Sequence, residues 1–401
     1  MNPAAPLAAF HVARLPEIRF GPGRLSELPD VLAGFGRRVL LVIGHRAFRN
    51  SPYWPLLQDA LRARSIEWAV VRVLEEPSPE LVDETVAAHR AGGFDAVAGI
   101  GGGSVLDAAK AIAGLLPHSN SVMDHLEGVG RGIPYTGPAL PWVAVPTTAG
   151  TGSEATKNAV LSVRGADGFK KSFRHDQLVA QVAIVDPDLL ATCPKTLIAA
   201  NGMDAFTQLL ESYVSLRASP FTDALAASGL QAFRAGFWAA WEPDHAQADA
   251  GYGHLAYASL CSGITLAQAG LGSVHGLASP LGAFFPVPHG VVCGTLVAEA
   301  TRINIRALRQ RDPDGPALRK YAEAAVIVTG RMFNSEAAAC DGLVETLQEW
   351  TARLGLPRLG AYGMTEDDLP RVVANCRGGS MQTNPLVLTD AEIEELARAR
   401  L

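Results

Sequence analysis

A series of short apolar runs, each followed by a helical stretch, constrains this chain most. Residues 38–44 (Arg-Val-Leu-Leu-Val-Ile-Gly), 67–73 and 94–100 are short, rich in β-branched or small apolar residues, and bounded by turn signals. Helical stretches at residues 53–64 and from about 78 to 91 separate them. Near-continuous apolar runs of this length mark strands covered on both faces. Strands alternating with helices predict a parallel sheet with helices on either side. A fourth strand is expected at 141–146. Residues 156–163, the segment around Lys170 and Lys171, and 182–187 read as strands returning to the same sheet. Asp186-Pro187 marks a boundary. Beyond it, helical patterns dominate at 196–213, 221–238, 246–269, 316–328, 335–354 and 390–401, with no internal repeat. The expected architecture is an α/β domain over residues 1–190 and an all-α domain over 191–401.

The strand at 94–100 runs into Gly101-Gly-Gly-Ser104 and then a helix that carries Asp107. Glycines in a strand-to-helix turn let backbone N–H groups approach a pyrophosphate, and the helix N-terminus adds partial positive charge. The run is not G-x-G-x-x-G, and a tight turn alone would also use glycine. The strand at 141–146 leads into Thr147-Thr148-Ala-Gly-Thr151-Gly-Ser-Glu. This loop offers hydroxyls to a cofactor, or is a polar loop that caps a helix at Ser153. After the first strand the chain reads Ile43-Gly-His-Arg-Ala-Phe-Arg. NAD sites often place a carboxylate there for the ribose 2′-hydroxyl, and none is present. His45, Arg46 and Arg49 instead suit a 2′-phosphate, which favours NADP over NAD unless these are solvated surface residues.

Three ligand-type side chains stand out later: Asp204 within the helix at 196–213, His275 in Ser273-Val-His-Gly-Leu, and His289 in Pro288-His-Gly. Gln208 follows Asp204 at i+4, on the same helix face. A carboxylate and two imidazoles suit zinc or iron(II), with Gln208 able to add a neutral oxygen. Each residue alone has an ordinary reading, a packed histidine or a dipole-favoured aspartate. The ordered set points to a divalent metal. The five cysteines, Cys193, Cys261, Cys293, Cys340 and Cys376, form no C-x-x-C pair and read as reduced, small, buried hydrophobes.

The chain is long enough for two cores, with 48% hydrophobic and 18% charged residues among 401. A formal net charge of −6 and the lack of a basic, aromatic-interleaved run argue against a nucleic-acid partner. No uninterrupted apolar run of ~18 residues is present, which argues against a membrane span. The proline-broken first ten residues lack the basic start of a signal peptide, so a cytoplasmic location is expected. A homo-oligomer, most simply a dimer, is the expected assembly. Phe173, Phe284, Phe285 and Met381 are expected to line a partly apolar pocket. Arg174, His175 and Arg377 offer an alternative lining that would meet an acid.

Six blocks, in order, resemble the iron-containing (group III) alcohol dehydrogenase family over nearly the full length. They are Gly101-Gly-Gly-Ser-x-x-Asp-x-Ala-Lys, Pro146-Thr-Thr-Ala-Gly-Thr-Gly-Ser-Glu, Ile184-Val-Asp-Pro, Gly202-Met-Asp-Ala, His275-Gly-Leu and Pro288-His-Gly. The resemblance implies an active site in a cleft between the two domains. It also implies NAD(P)-dependent interconversion of a small-molecule alcohol and a carbonyl compound. By the same resemblance Gly101, Gly102, Gly103 and Ser104 would hold the pyrophosphate, and Asp107 would start the following helix. Thr147, Thr148 and Thr151 would line the nicotinamide side, and Lys170 would reach the ribose. Asp204, His275 and His289 would be metal ligands. Two positions depart from the family pattern: Gln208 stands where a histidine ligand is usual, and Ser279 where a histidine proton relay is frequent. Metal-free relatives such as maleylacetate reductases give a second reading, with His275 and His289 as oxyanion donors. A dehydroquinate-synthase-like lyase and a non-catalytic nucleotide-binding protein share the architecture.

Overall fold

The computed structural model describes residues 7–242 and 244–401, so the first six residues of the N-terminal segment lie outside it. Six strands form one sheet: β1 (Glu17–Phe20), β2 (Arg38–Gly44), β3 (Glu67–Val73), β4 (Ala96–Gly101), β5 (Trp142–Pro146) and, after a hairpin of β6 (Asn158–Val163) and β7 (Phe169–Arg174), β8 (Val182–Val185). The spatial order is β1-β8-β5-β4-β2-β3, and every pairing is parallel. Helices α1 (Leu28–Ala33), α2 (Tyr53–Ala63), α3 (Pro79–His89) and α4 (Gly103–Leu115) connect the strands. The alternation of side chains along a strand splits β2 and β4 between two cores. Val39, Leu41, Ile43, Ala98 and Ile100 join Leu57 and Leu61 of α2. Leu40, Val42 and Val97 join Val82 and Val86 of α3 and Leu106 and Ile112 of α4. Each fully buried Leu or Ile contributes about 1.5–3 kcal/mol, so both faces hold the sheet.

Two segments differ from expectation. β6 and β7 pair antiparallel with each other and do not return to the sheet. Their sequence explains this: Phe169-Lys-Lys-Ser-Phe-Arg has one apolar side, and Ala159, Leu161 and Phe173 on that side pack into the cluster that contains α4. β1 was not expected, because Glu-Ile-Arg-Phe at the sheet edge is at best half-buried and carries no apolar run.

The remainder is helical: α5 (Lys195–Val214), α6 (Pro220–Trp241), α7 (Ala248–Ala269), α8 (Ser273–Phe284), α9 (His289–Arg311), α10 (Pro316–Thr329), α11 (Glu336–Arg353), α12 (Leu369–Asn375) and α13 (Asp390–Arg398). Helix α5 is buried almost throughout, from Ile198 to Val214, with its neighbours wrapped around it. Helix α9 was not among the expected helices, since Gly290 and Gly294 in its first two turns weaken the helical signal. Those glycines are what seat it. A Cβ on Gly290 would stand 2.7 Å from the Ala200 carbonyl oxygen, and one on Gly294 2.9 Å from Met203. Their absence lets α9 lie directly on α5, one turn from Asp204. No helix among the described residues is long and apolar enough to cross a membrane.

Candidate active site

Strand β3 follows β2 outward, while β4 lies on the other side of β2. The chain therefore reverses direction between β2 and β4, which opens a crevice at their C-terminal ends. Gly101 to Gly103 sit at the end of β4, and Gly44 to Arg46 at the end of β2. Gly102 caps α4 without a side-chain oxygen, so the N–H groups of the first turn are left for an anion. A Cβ on Gly103 would meet Thr151 at 2.6 Å and one on Gly102 would meet Thr148 at 3.2 Å. The glycines thus let the hydroxyl-bearing loop close over the turn. Thr147 joins it through its N–H to the Gly101 carbonyl at 2.9 Å.

Asp107 does not start α4, contrary to expectation. It lies in the helix's second turn, where its carboxylate accepts from Ser153 Oγ at 2.5 Å and from the Val160 N–H at 3.2 Å. Lys110, one turn on and fully buried, donates to the Ser153 carbonyl, Ser153 Oγ, Thr156 Oγ1 and the Asn158 carbonyl at 2.8–3.0 Å. Together they pin residues 153–160 to α4. Glu154 is buried in the same loop, and burial pushes its carboxyl up to about 7 from 4.5. A raised carboxyl pKa leaves stability unaffected below the unfolded value of 4.5 and withdraws it as pH climbs through the folded one. Glu154→Gln, which cannot ionise, is therefore expected to match the parent at pH ~4 and to exceed it by about 2–3 kcal/mol at pH ~8. Denaturant midpoints at the two pH values measure this, and an equal difference at both would refute it.

A cavity of about 850 Å³ lies between this loop region and the helices. Gly103, Ser104, Asp107, Thr151 and Lys170 line one side; Gln208, His275, Ser279 and His289 line the other. Lys170 is held by Glu76 at 2.8 Å, and Ser279 Oγ donates to the Lys170 carbonyl at 3.0 Å. The wall is more polar than expected. Phe173 is buried in the α4 core, Met381 in the helical core, Phe284 under the Arg371 guanidinium at 4.3 Å, and Phe285 in the helical core. None of the four lines the cavity. Arg174 and Arg377 do, along with Lys157, Lys171 and Arg217, whereas His175 packs on Tyr135 instead. His45, Arg46 and Arg49 stand exposed after β2, outside the cavity wall.

At the floor, α5, α8 and α9 bring Asp204, His275 and His289 together as expected. His275 Nε2 lies 3.2 Å from Asp204 Oδ1, and His289 Nε2 lies 3.6 Å from the same oxygen. Asp204 Oδ2 and His289 Nδ1 are buried without a hydrogen-bond partner among the described residues. A buried carboxylate oxygen left without a donor is costly unless a cation completes it. The cluster therefore fits a divalent metal. Burial opposes ionisation of Asp204, but His289 and the hydrogen bond with His275 hold its carboxyl down to about 2. Burial drives His289 down to about 4, against the pull of Asp204.

Three residues of the site escaped the sequence reading. Glu211 Oε2 receives His275 Nδ1 at 2.7 Å, and its Oε1 accepts from the Val274 N–H at 2.7 Å. This carboxylate fixes the imidazole with Nε2 directed at the cluster. Its position seven residues after Asp204, on one helix face, was the available signal. Lys110 was quoted only as part of a motif. Cys293, read as a buried hydrophobe, joins the cluster instead. Gln208, expected to add a neutral oxygen, makes two hydrogen bonds of its own. Nε2 donates to Asp204 Oδ1 at 3.3 Å, and Oε1 accepts from Ser262 Oγ at 2.8 Å.

Similarity to known proteins extends over nearly the whole chain. The profile for iron-containing alcohol dehydrogenase matches residues 16–187, and that for the C-terminal part of the Fe-containing alcohol dehydrogenase family matches 198–401. The chain is 33% identical to long-chain-alcohol dehydrogenase 1 of Geobacillus thermodenitrificans, over 97% of this chain and 96% of that protein. It is 30% identical to lactaldehyde reductase of Escherichia coli K12, over 94% and 96%. Among solved structures, a 1,3-propanediol oxidoreductase superposes with a TM-score of 0.87 at 28% identity, covering 98% of this chain and all of the other. A sulfoacetaldehyde reductase from Bifidobacterium kashiwanohense in complex with NAD+ gives 0.82 at 27% identity, covering 98% and 99%. The chain belongs to the iron-containing alcohol dehydrogenase family, and is an NAD(P)-dependent oxidoreductase acting on CH–OH groups.

Proposed function

We propose that the cavity is the reaction chamber. Gly101, Gly102, Gly103 and Ser104 would hold the pyrophosphate, Thr151 with Thr147 and Thr148 would line the nicotinamide side, and the substrate would bind between them and the histidines. The observation that carries this reading is that Asp204, His275 and His289 meet at the floor of the cavity that Gly103 and Ser104 open on its other side. A divalent cation held there, iron or zinc, would supply Lewis acidity to the substrate oxygen. The chain's residues supply positioning. Glu211 accepts from His275 Nδ1 and so turns Nε2 toward Asp204 and the cluster. Glu76 aims Lys170 at the nicotinamide ribose. Ser279 Oγ donates its proton to the Lys170 carbonyl at 3.0 Å, so from the cavity it can only accept a hydrogen bond, from a ribose hydroxyl or water.

His45, Arg46 and Arg49, exposed beside the crevice with no carboxylate between them, favour NADP. Arg174 and Arg377 in the wall favour a substrate with a polar or anionic group. The two-part division at 190/191, a homodimer and a cytoplasmic location complete the proposal. The deciding experiment follows NADPH and NADH oxidation against aldehydes, ketones and keto acids. It uses chelated protein, then the same protein reloaded with iron(II) or zinc. Activity that returns only on reloading is expected. Full activity of the chelated protein would replace this reading with metal-free reduction, His275 and His289 donating to the oxyanion.

A further inference from the structure

We infer that Cys293 is the fourth ligand of the metal site, as a thiolate, and that Gln208 is not a ligand. The inference rests on the metal reading above. Cys293 lies one helical turn after His289 on α9, so both side chains face α5. It is fully buried. Its Sγ stands 3.5 Å from His275 Nε2 and 3.8 Å from His289 Nε2. With the 3.2 and 3.6 Å separations from Asp204 Oδ1, four of the six separations among the donor atoms are 3.2–3.8 Å, and the ligand-type atoms of the four residues all lie within 4.8 Å of one another. Donors about 2.0–2.3 Å from one tetrahedral centre stand roughly 3.3–3.6 Å apart. Asp204, His275, His289 and Cys293 are thus already spaced around a common point, while Asp204 Oδ2 remains without a partner.

Gln208 occupies a different place. Gln208 Nε2 donates to Asp204 Oδ1 at 3.3 Å, and the amide oxygen, the atom that could ligate, is turned away toward Ser262 Oγ at 2.8 Å. Gln208 orients Asp204 rather than ligating. The sequence has exchanged a neutral nitrogen or oxygen donor on α5 for a sulfur donor on α9. Binding releases the Sγ proton to solvent and leaves a Cys–His–His–Asp set. A thiolate shifts preference from iron(II) toward zinc.

The test uses cobalt(II) added to the chelated full-length protein. A near-ultraviolet thiolate-to-cobalt charge-transfer band at one cobalt per chain is expected. Cys293→Ser should lose the band and bind cobalt at least about tenfold more weakly. Gln208→Ala should keep the band. Chelated Cys293→Ser melting with the parent shows that the loss is not unfolding; if it misfolds, the parent's band and its retention in Gln208→Ala still decide. One-to-one cobalt binding without the band, or a band that survives Cys293→Ser, overturns the assignment and leaves the metal reading standing. A parent protein that binds no cobalt overturns both.

Discussion

Replacing His289 by alanine is expected to lower kcat/KM by about 10³-fold or more while the protein stays folded. The side chain is 26% exposed, its Nδ1 has no partner among the described residues, and its Nε2 only approaches Asp204 and Cys293. Truncation therefore strands no buried donor or acceptor, and the stability change should stay within about 1 kcal/mol. What it removes is an interaction that acts on the charge developing at the substrate oxygen, which is where losses of 10²–10³ and more arise. His275→Ala should be equally inactive but also less stable. Its loss leaves Glu211 Oε2 buried without the 2.7 Å hydrogen bond, at a cost of about 1.5–3 kcal/mol. Steady-state kinetics beside denaturant titration separates the two variants. Near-parental turnover by His289→Ala would remove it from the reaction.

Lys110→Met is expected to cost about 3–5 kcal/mol and to raise the cofactor KM. The ammonium is fully buried and serves four oxygen acceptors, with the Asp107 carboxylate 3.6 Å away. Methionine fills the volume but donates nothing, so the Asp107 charge and four oxygens lose their partner together. Removing one member of a buried ionic network has consequences of this size. Those oxygens belong to residues 153–158, beside Thr151 and its contact with Gly103. Loosening them should weaken nicotinamide binding with little effect on kcat once cofactor saturates. Urea unfolding and NAD(P)H titration measure both effects. A variant as stable as the parent would show that the network is dispensable.

Local pattern carried far in this chain. Near-continuous apolar runs identified β2 to β5, and turn chemistry placed the glycine turn between β4 and α4. Helix periodicity put Asp204 and Gln208 on one face of α5. The same logic failed where a local signal was weak or ambiguous. β1 has no apolar run. The glycines of α9 look like helix breakers until α5 is seen against them. A polar hairpin reads like any other strand pair. Aromatic residues near the site suit pocket walls, yet Phe173 turns into the α4 core and leaves arginines and lysines facing the cavity.

The sequence by itself determined the kinds of elements, their order, and the ligand types Asp204, His275 and His289, because these depend on residues adjacent or one helical turn apart. Only the tertiary structure decided that Glu211 steers His275, that Gln208 turns its oxygen away, and that Cys293 stands beside Asp204, His275 and His289. Those relations depend on how closely α5, α8 and α9 approach. Gly290 and Gly294 set that approach through the side chains they lack, and such a contact is invisible until the partner helix is in place.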